Sequence, residues 1–211
     1  MIVSGSILSS KISPKEAIKI FDKTSIDYIH IDIMDGKFVE NKSFTVSDVE
    51  KFSLLTRKPL DIHLMVKNPE SYIDKLSMLN VINITFHYEA IKTHMNIINH
   101  IRRNGIKVGI AIKPETSVKD IFPLLPNIDL VLIMTVNPGA SGQKFMDSML
   151  YKIEVLKHEI TEKQYKCSLS VDGGVAAENI DILKEKGVDI IVSSSYLLEG
   201  NTEEKIRIIK C

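Results

Sequence analysis

The residues best suited to chemistry in this sequence are two histidines and two aspartates inside short, otherwise apolar segments: His30, Asp32, His63 and Asp172. His30 and Asp32 belong to the run Tyr-Ile-His-Ile-Asp-Ile-Met, where the alternation of side chains along a β-strand places both on one face. A buried parallel strand is normally apolar throughout, so these polar residues require an explanation. Two imidazoles and two carboxylates suit a divalent transition metal ion and neutralise its charge. The sequence therefore predicts a metal site that uses all four side chains.

Each of these residues has a simpler interpretation when it is taken alone. A single strand histidine is more often a hydrogen-bonded core residue, and an aspartate before Gly-Gly, such as Asp172, is more often a turn former. The joint pattern favours the metal site, because all four lie near the C-terminal ends of strand-like segments, where barrel active sites form. The nearby Asp35 and Asp61 are assigned structural roles, Asp35 for its strand parity and Asp61 because it is predicted to face away from His63. His87 is expected to pack behind the site.

The number of ligands limits the identity of the metal ion. Four protein ligands would close a tetrahedral structural zinc site and leave no position for a substrate. Five or six coordination is therefore expected, which fits one ion of Fe²⁺, Mn²⁺ or Co²⁺, or an expanded Zn²⁺ site.

Short β-branched segments that alternate with amphipathic ones must position these side chains. The strand candidates are residues 2–8, 28–34, 60–66, 82–87, 108–113, 130–136, 168–172 and 190–193. Strict alternation indicates a parallel sheet covered by helices, either open or closed. Closure is favoured because an open sheet would leave the seventh strand several spacings of about 4.8 Å from the second and third. We therefore predict one α/β domain over residues 1–211, a single (β/α)₈ TIM barrel with short loops.

Helix starts and a buried stripe support the helical half of this pattern. Ser13-Pro14-Lys15-Glu16 combines a capping box with proline at the first helical position, and Asn68-Pro69-Glu70 offers an asparagine cap. Apolar residues recur at helical spacing from Met146 to Ile160, which indicates one buried helix face.

Glycine and serine follow the last three strand candidates. The segments are Asn137-Pro138-Gly139-Ala140-Ser141-Gly142-Gln143, Gly173-Gly174 and Ser193-Ser194-Ser195. Barrels often bind phosphate with the loops after strands seven and eight, where backbone N–H groups point at the anion and glycine allows close approach. The sequence therefore predicts a phosphorylated substrate whose phosphate lies near the N–H groups of Gly142, Gly174, Ser194 and Ser195.

Composition excludes several other classes of function. Apolar residues make up 44% and charged residues 26% of the 211 residues, the mix of an ordinary soluble globular protein. Twenty-seven basic residues balance 27 acidic ones, so no basic face is expected for nucleic acid or anionic lipid. The apolar runs are too short to span a membrane, and the first residues lack the charged n-region of a signal peptide. Two cysteines indicate no disulfide framework, and a cytoplasmic location is expected.

Five motifs then occur in order along the chain. They are Gly5-Ser6-Ile7-Leu8-Ser9, His30-Ile31-Asp32-Ile33-Met34-Asp35-Gly36-Lys37-Phe38-Val39, Asp61-Ile62-His63-Leu64-Met65-Val66, Met134-Thr135-Val136-Asn137-Pro138-Gly139 and Val171-Asp172-Gly173-Gly174-Val175. Together they resemble the ribulose-phosphate 3-epimerase family, and the His-x-Asp-x-Met-Asp-Gly segment is highly specific. The resemblance implies a barrel of the ribulose-phosphate-binding type that interconverts D-ribulose 5-phosphate and D-xylulose 5-phosphate with one divalent metal ion. A homo-oligomer is also expected.

The resemblance also implies roles for individual residues. Asp32 and Asp172 resemble the family's acid/base pair and, with His30 and His63, its metal ligands. The expected substrate-binding positions are Ser6, Met34, His63, Met65, Met134, Gly139, Ala140, Ser141, Gly142, Gly173, Gly174, Ser194 and Ser195. Inverting C3 beside a C2 ketone requires two proton transfers on opposite faces, which the two carboxylates are expected to perform while the metal acts as a Lewis acid.

Two departures from the family pattern alter the rim that faces the substrate. Ala140 and Ser141 stand where the family usually has Phe and Gly, and Ser194-Ser195 stands where it usually has Gly-Ser. These changes leave open a D-allulose 6-phosphate 3-epimerase and a non-catalytic relative that binds metal and sugar phosphate. A phosphate-binding barrel enzyme that works without metal is disfavoured by the four inward ligands.

Overall fold

Eight parallel strands form the centre of the computed structural model, which describes residues 1–8 and 11–211. The strands are β1 Ile2–Ser6, β2 Tyr28–Met34, β3 Leu60–Met65, β4 Val81–His87, β5 Lys107–Ile112, β6 Leu130–Met134, β7 Ser168–Asp172 and β8 Ile190–Ser193. Each strand pairs with its neighbours in sequence, and β1 pairs with β8, which closes the barrel. The predicted TIM barrel is therefore confirmed. Ser9, the last residue of the first motif, lies outside the described residues.

Helices surround the barrel and connect its strands. They are α1 Pro14–Asp22, α2 Val46–Ser53, α3 Glu70–Leu76, α4 His94–Arg103, α5 Met149–Glu162, α6 Ala177–Glu185, α7 Ser195–Leu198 and α8 Thr202–Lys210. The connection from β5 to β6 departs from the predicted alternation, because it contains a 3₁₀ helix, Val118–Asn127. Pro123 and Pro126 lie within it. Proline lacks an N–H and clashes with the carbonyl four residues earlier, so an α-helix cannot run through this segment.

The two predicted helix starts have different outcomes. The Ser13 side chain accepts a hydrogen bond from the Glu16 N–H at 3.4 Å and caps α1, which is one half of the predicted capping box. The Asn68 cap is wrong, because α3 begins at Glu70 without a side-chain cap and the Asn68 main-chain carbonyl instead accepts a bond from the Ser71 hydroxyl. The predicted apolar stripe is confirmed at the buried α5 residues Met149, Ile153, Leu156 and Ile160, whereas Met146 precedes the helix and Leu150 is half-buried.

The two faces of the strands bury different kinds of side chain. On β2, Ile29, Ile31 and Ile33 belong to the large apolar layer beneath the helices, whereas His30 and Asp32 point into the barrel. A small inner apolar cluster comprises Ala111, Leu132, Met134, Val136 and Val192. Most interior side chains of β1 to β4 are polar instead, among them Ser4, His30, Asp61 and Thr85, whereas Met34 and Met65 are apolar and line the cavity at the mouth. The polar half of the interior positions the site.

The structure also bears on membrane insertion and on the state of the two cysteines. Across residues 1–8 and 11–211, no helix has the length and apolar character needed to cross a membrane. Cys167 is buried, Cys211 is exposed, and both are free. Burial raises the pKa of the Cys167 thiol to about 12, so this thiol stays protonated and unreactive.

Candidate metal and active site

The four predicted ligands converge at the C-terminal end of the barrel. One donor atom from each of His30, Asp32, His63 and Asp172 lies within 4.8 Å of the others. The register of β2 against β3 puts Asp32 directly beside His63, and Asp172 is the last residue of β7, three strand positions from β2. Because β2 and β3 are paired, the backbone hydrogen bonds of the sheet fix the spacing of His30, Asp32 and His63, and closure of the barrel brings Asp172 to them.

Distances between donor atoms fit a single divalent ion. Asp32 Oδ1 lies 3.2 Å from His30 Nε2 and 3.0 Å from His63 Nδ1. Asp172 Oδ2 lies 3.9 Å and 3.7 Å from the same two nitrogens. Metal–ligand bonds of about 2.0–2.2 Å put neighbouring ligand atoms about 3–4 Å apart, so these atoms can share one ion. The cluster is therefore able to hold a divalent metal ion.

A further carboxylate holds the His30 ring from behind. Asp61 Oδ2 lies 2.8 Å from His30 Nδ1 and accepts a hydrogen bond from the Ser4 hydroxyl at 2.6 Å, while the Asn83 amide donates to Asp61 Oδ1 at 2.6 Å. The prediction that Asp61 faces away from His63 is wrong, because residues two apart on a strand share a face. A carboxylate that accepts from the far nitrogen of a ligand histidine fixes the orientation of the ring. Asp61 thus supports His30.

His87 and Glu89 continue the hydrogen-bonded contacts of His63 on the side away from the ligand cluster. His63 Nε2 lies 3.0 Å from His87 Nε2, and His87 Nδ1 lies 3.1 Å from Glu89 Oε2. Burial lowers the pKa of His87 to about 4, so its ring is neutral at pH 7. Burial acts to raise the pKa of Glu89, but hydrogen bonds from His87, the Lys113 N–H and Thr116 outweigh it and lower that pKa to about 2. His87 packs behind the site as predicted, whereas Glu89 has no counterpart among the predicted residues.

The pKa values of His30, Asp32 and Asp172 are shifted in different directions. Burial disfavours the charged form of Asp32, but His30 and His63 outweigh it and hold the pKa of Asp32 below its ordinary range. Burial, followed by the charge of Asp32, raises the pKa of Asp172 to about 6. Burial disfavours charge on His30, yet Asp61 and Asp32 raise its pKa well above the ordinary value. In the metal-free cluster these shifts favour the protonated form of His30, and Asp172 gains a proton as the pH falls through about 6.

We expect metal uptake to release these protons in a pH-dependent way, because ligands must be deprotonated to bind. Zn²⁺ binding should displace the His30 proton, and below about pH 6 it should release a further proton from Asp172. Apparent affinity should consequently fall as the pH drops through about 6. Calorimetric titration in buffers of different ionisation enthalpy measures both quantities. Proton release that stays constant over this pH range would contradict the assignment.

A cavity of about 600 Å³ opens above the ligand cluster at the mouth of the barrel. Its volume lies within the range of small-molecule sites, roughly 300–1,000 Å³. The predicted residues from the strands that line it are Ser6, Asp32, Met34, Met65, Met134 and Asp172. His30 and His63 are buried beneath the aspartates and do not line the cavity. His63 is thus placed to hold a metal ion, and the substrate contact that the resemblance implies for it stays a prediction.

The glycine-rich loops form the other side of the cavity. All the predicted rim residues line it, namely Gly139, Ala140, Ser141, Gly142, Gly173, Gly174, Ser194 and Ser195. Gly174 has φ of +67°, and a Cβ there would lie 2.2 Å from the Phe145 nitrogen, so glycine lets the loops after β6 and β7 pack together. The Ser194 hydroxyl donates to the Leu8 carbonyl at 2.9 Å and is therefore already engaged within the protein.

Comparison with known proteins agrees with the motifs. Residues 2–198, which include all eight strands, match the model of the ribulose-phosphate 3 epimerase family. Proteins named ribulose-phosphate 3-epimerase align over most of the chain. The Bacillus subtilis protein is 39% identical over 205 residues, covering 96% of this chain and 94% of that protein. The Helicobacter pylori J99 protein is 38% identical over 184 residues, with 87% and 85% covered.

Solved structures add information on the fold. N-(5'-phosphoribosyl)anthranilate isomerase from Pyrococcus furiosus has a TM-score of 0.66 at 17% identity, covering 100% of this chain and 98% of its own. Thiamine phosphate pyrophosphorylase from the same organism has a TM-score of 0.67 at 15% identity, with 99% and 95% covered. These identities support a shared barrel and nothing more. The family match across the whole barrel and the close sequence relatives show more: the chain belongs to the ribulose-phosphate 3-epimerase family.

Proposed function

We propose that the protein is an isomerase that inverts C3 of a ketose phosphate, converting D-ribulose 5-phosphate to D-xylulose 5-phosphate. One observation carries the proposal. Asp32 and Asp172 reach the same ligand cluster from separate strands and both line one cavity at the mouth of the barrel. Membership of the family and the names of the relatives support the choice of substrate.

We assign the proton transfers to Asp32 and Asp172. The C3 hydrogen lies beside the C2 ketone, and its removal gives a 2,3-enediolate. One carboxylate removes the proton from one face, and the other returns a proton to the opposite face, which inverts the centre.

His30 and His63, together with the two aspartates, would hold the metal ion. When bound, a divalent ion supplies Lewis-acid stabilisation of the negative charge that develops on the enediolate. Nitrogen and oxygen donors suit Fe²⁺, Mn²⁺, Co²⁺ or Zn²⁺, and we propose one of these as the physiological ion. Ser6 donates to Asp32 Oδ2 at 3.1 Å, which fixes the carboxylate while its other oxygen faces the histidines.

Three methionines, Met34, Met65 and Met134, line the cavity around the reacting centre. All three are buried, and a thioether is only a weak hydrogen-bond acceptor. The methionines therefore keep water away from the enediolate without offering it a competing donor.

We place the substrate phosphate against the rim loops, near the backbone N–H groups of Gly142, Gly174, Ser194 and Ser195. The phosphate should therefore contribute strongly to kcat/KM, because a fixed anion positions C3 between the aspartates. Removing the phosphate should lower kcat/KM by at least about 10²-fold. The measurement compares D-ribulose 5-phosphate with D-ribulose under identical conditions. Equal kcat/KM for the two sugars would show that the anion site is misassigned.

A panel of phosphorylated ketoses, assayed with chelation and metal add-back, tests the proposed function. We expect epimerisation of D-ribulose 5-phosphate that is lost on chelation and restored by a divalent ion. Faster turnover of D-allulose 6-phosphate would move the substrate assignment to a six-carbon sugar, which the altered Ala140 and Ser141 rim motivates. Metal binding without turnover of any ketose, at enzyme concentrations near that of the substrate, would instead identify a non-catalytic relative.

A further inference from the structure

We propose that His87 and Glu89 form a positioning relay that sets the tautomer of His63, so that the lone pair of its Nδ1 faces the metal site. The inference rests on the metal role proposed above for His63. Neither His87 nor Glu89 lines the substrate cavity, so the relay acts through His63 alone.

The relay begins at a contact between two imidazole nitrogens. His63 Nε2 and His87 Nε2 lie 3.0 Å apart, and a hydrogen bond between them requires one protonated and one unprotonated nitrogen. Metal binding needs an unprotonated Nδ1 on His63, so in the neutral ring the proton resides on Nε2. His87 Nε2 must then accept, because a protonated His87 Nε2 would oppose one donor with another. The His87 proton is thereby confined to Nδ1.

Glu89 completes the relay because three donors converge on its carboxylate. His87 Nδ1 lies 3.1 Å from Oε2, while the Lys113 N–H donates to Oε1 at 2.8 Å and the Thr116 hydroxyl donates to the same oxygen. An ionised carboxylate is acceptor-only, so it satisfies all three. It also compels His87 to keep its proton on Nδ1, which is the arrangement that His63 requires.

The surroundings make this hydrogen-bond direction hard to reverse. His87 is fully buried, and the Phe38 ring packs on it with ring centroids 4.6 Å apart. Lys113 Nζ lies 4.4 Å from the centroid of the Phe38 ring. Water could accept or donate at His87 Nδ1, but Glu89 occupies that position and can only accept. Glu89, rather than the solvent, therefore determines the tautomer of His87.

Glutamine at position 89 should reverse the direction of the hydrogen bonds in the relay. We expect its single carbonyl oxygen to accept the hydrogen bond from the Lys113 N–H, which leaves the amide NH₂ facing His87 Nδ1. His87 would then accept through Nδ1 and carry its proton on Nε2, and His63 would have to accept through its own Nε2. The His63 proton would move to Nδ1, where it blocks the metal. Alanine at the same position admits water, which can accept from His87.

The test compares Glu89→Gln, Glu89→Ala and the matched control Glu115→Gln in Zn²⁺ and Co²⁺ affinity, measured by chelator competition. We expect Glu89→Gln to weaken affinity by about 10–100-fold, the usual effect of losing a partner of a ligand histidine. Glu89→Ala should weaken it less, although alanine removes more packing and the same charge. Glu115 is exposed and lies outside the relay, so Glu115→Gln should leave the metal affinity unchanged. A loss for alanine equal to or larger than that for glutamine would overturn the relay.

Imidazole ¹H–¹⁵N correlation spectra of the zinc-bound wild type report the tautomers directly and do not depend on any variant folding. We expect the proton of His63 on Nε2 and that of His87 on Nδ1. A His87 proton on Nε2 would overturn the inference even where metal binding is intact. A wild type that binds neither ion and is active without metal would instead contradict the proposed function, so the two failures are distinguishable.

Discussion

Replacing Asp172 with asparagine is expected to reduce kcat for epimerisation by about 10³-fold or more, the upper part of the range for losing a general acid or base. The amide keeps the shape of the side chain at the end of β7 but can neither remove the C3 proton nor deliver one. Steady-state assay of D-ribulose 5-phosphate conversion measures the effect, with metal content determined on the same sample so that loss of a ligand charge is seen separately.

The control for this variant is Asp181→Asn. Asp181 lies on α6, the helix that follows β7, and its side chain is 90% exposed. The same change of charge there should leave kcat and bound metal unchanged. An Asp172→Asn protein that retains metal and turns over at the wild-type rate would remove Asp172 from the reaction.

Replacing His63 with alanine should abolish both metal binding and activity while the barrel stays folded. Losing a hydrogen-bond partner of a metal ligand typically weakens metal affinity by roughly 10–100-fold. The affinity of His63→Ala for the metal should fall further, because His63 is itself a ligand. The outward neighbours of His63 on β3, Ile62 and Leu64, remain in the apolar layer and continue to anchor the strand. Metal analysis, circular dichroism and activity on one preparation provide the three readouts.

The exposed His158 on α5 provides the matched control, since His158→Ala removes an imidazole 77% exposed to solvent. That variant should keep both metal and activity. A His63→Ala protein that is fully active, or a wild type that is active after complete removal of metal, would contradict the metal-dependent account.

The ligand set could be predicted from the sequence because strand parity is a strict geometric rule. Polar residues in buried strands are costly, so His30, Asp32 and His63 stood out, and closure of the sheet was needed to bring Asp172 to them. The same rule applied correctly would have placed Asp61 inside the barrel with His63, since the two differ by two positions. It would also have placed Asn83, Thr85 and His87, which alternate with apolar residues along β4, inside the barrel.

Other features depend on contacts that no local pattern encodes. Glu89 lies just after β4, in a 3₁₀ turn, and its role comes from donors on the loop that follows β5. Asn68 precedes Pro69 as a cap should, but α3 begins without using its side chain. The Ser194 hydroxyl could be expected to face an anion until the Leu8 carbonyl, from the opposite end of the chain, is seen to accept it. Long-range packing decides these cases.

Isotope exchange in deuterated water tests the central claim, that Asp32 and Asp172 act on opposite faces of one enediolate. Two separate carboxylates imply that the proton taken from the substrate is not the one delivered to the product. Early product should therefore carry deuterium at C3 while the remaining D-ribulose 5-phosphate stays largely protiated. Substrate and product labelled equally from the first turnovers would instead indicate a single shared base, and the two-aspartate mechanism would be wrong.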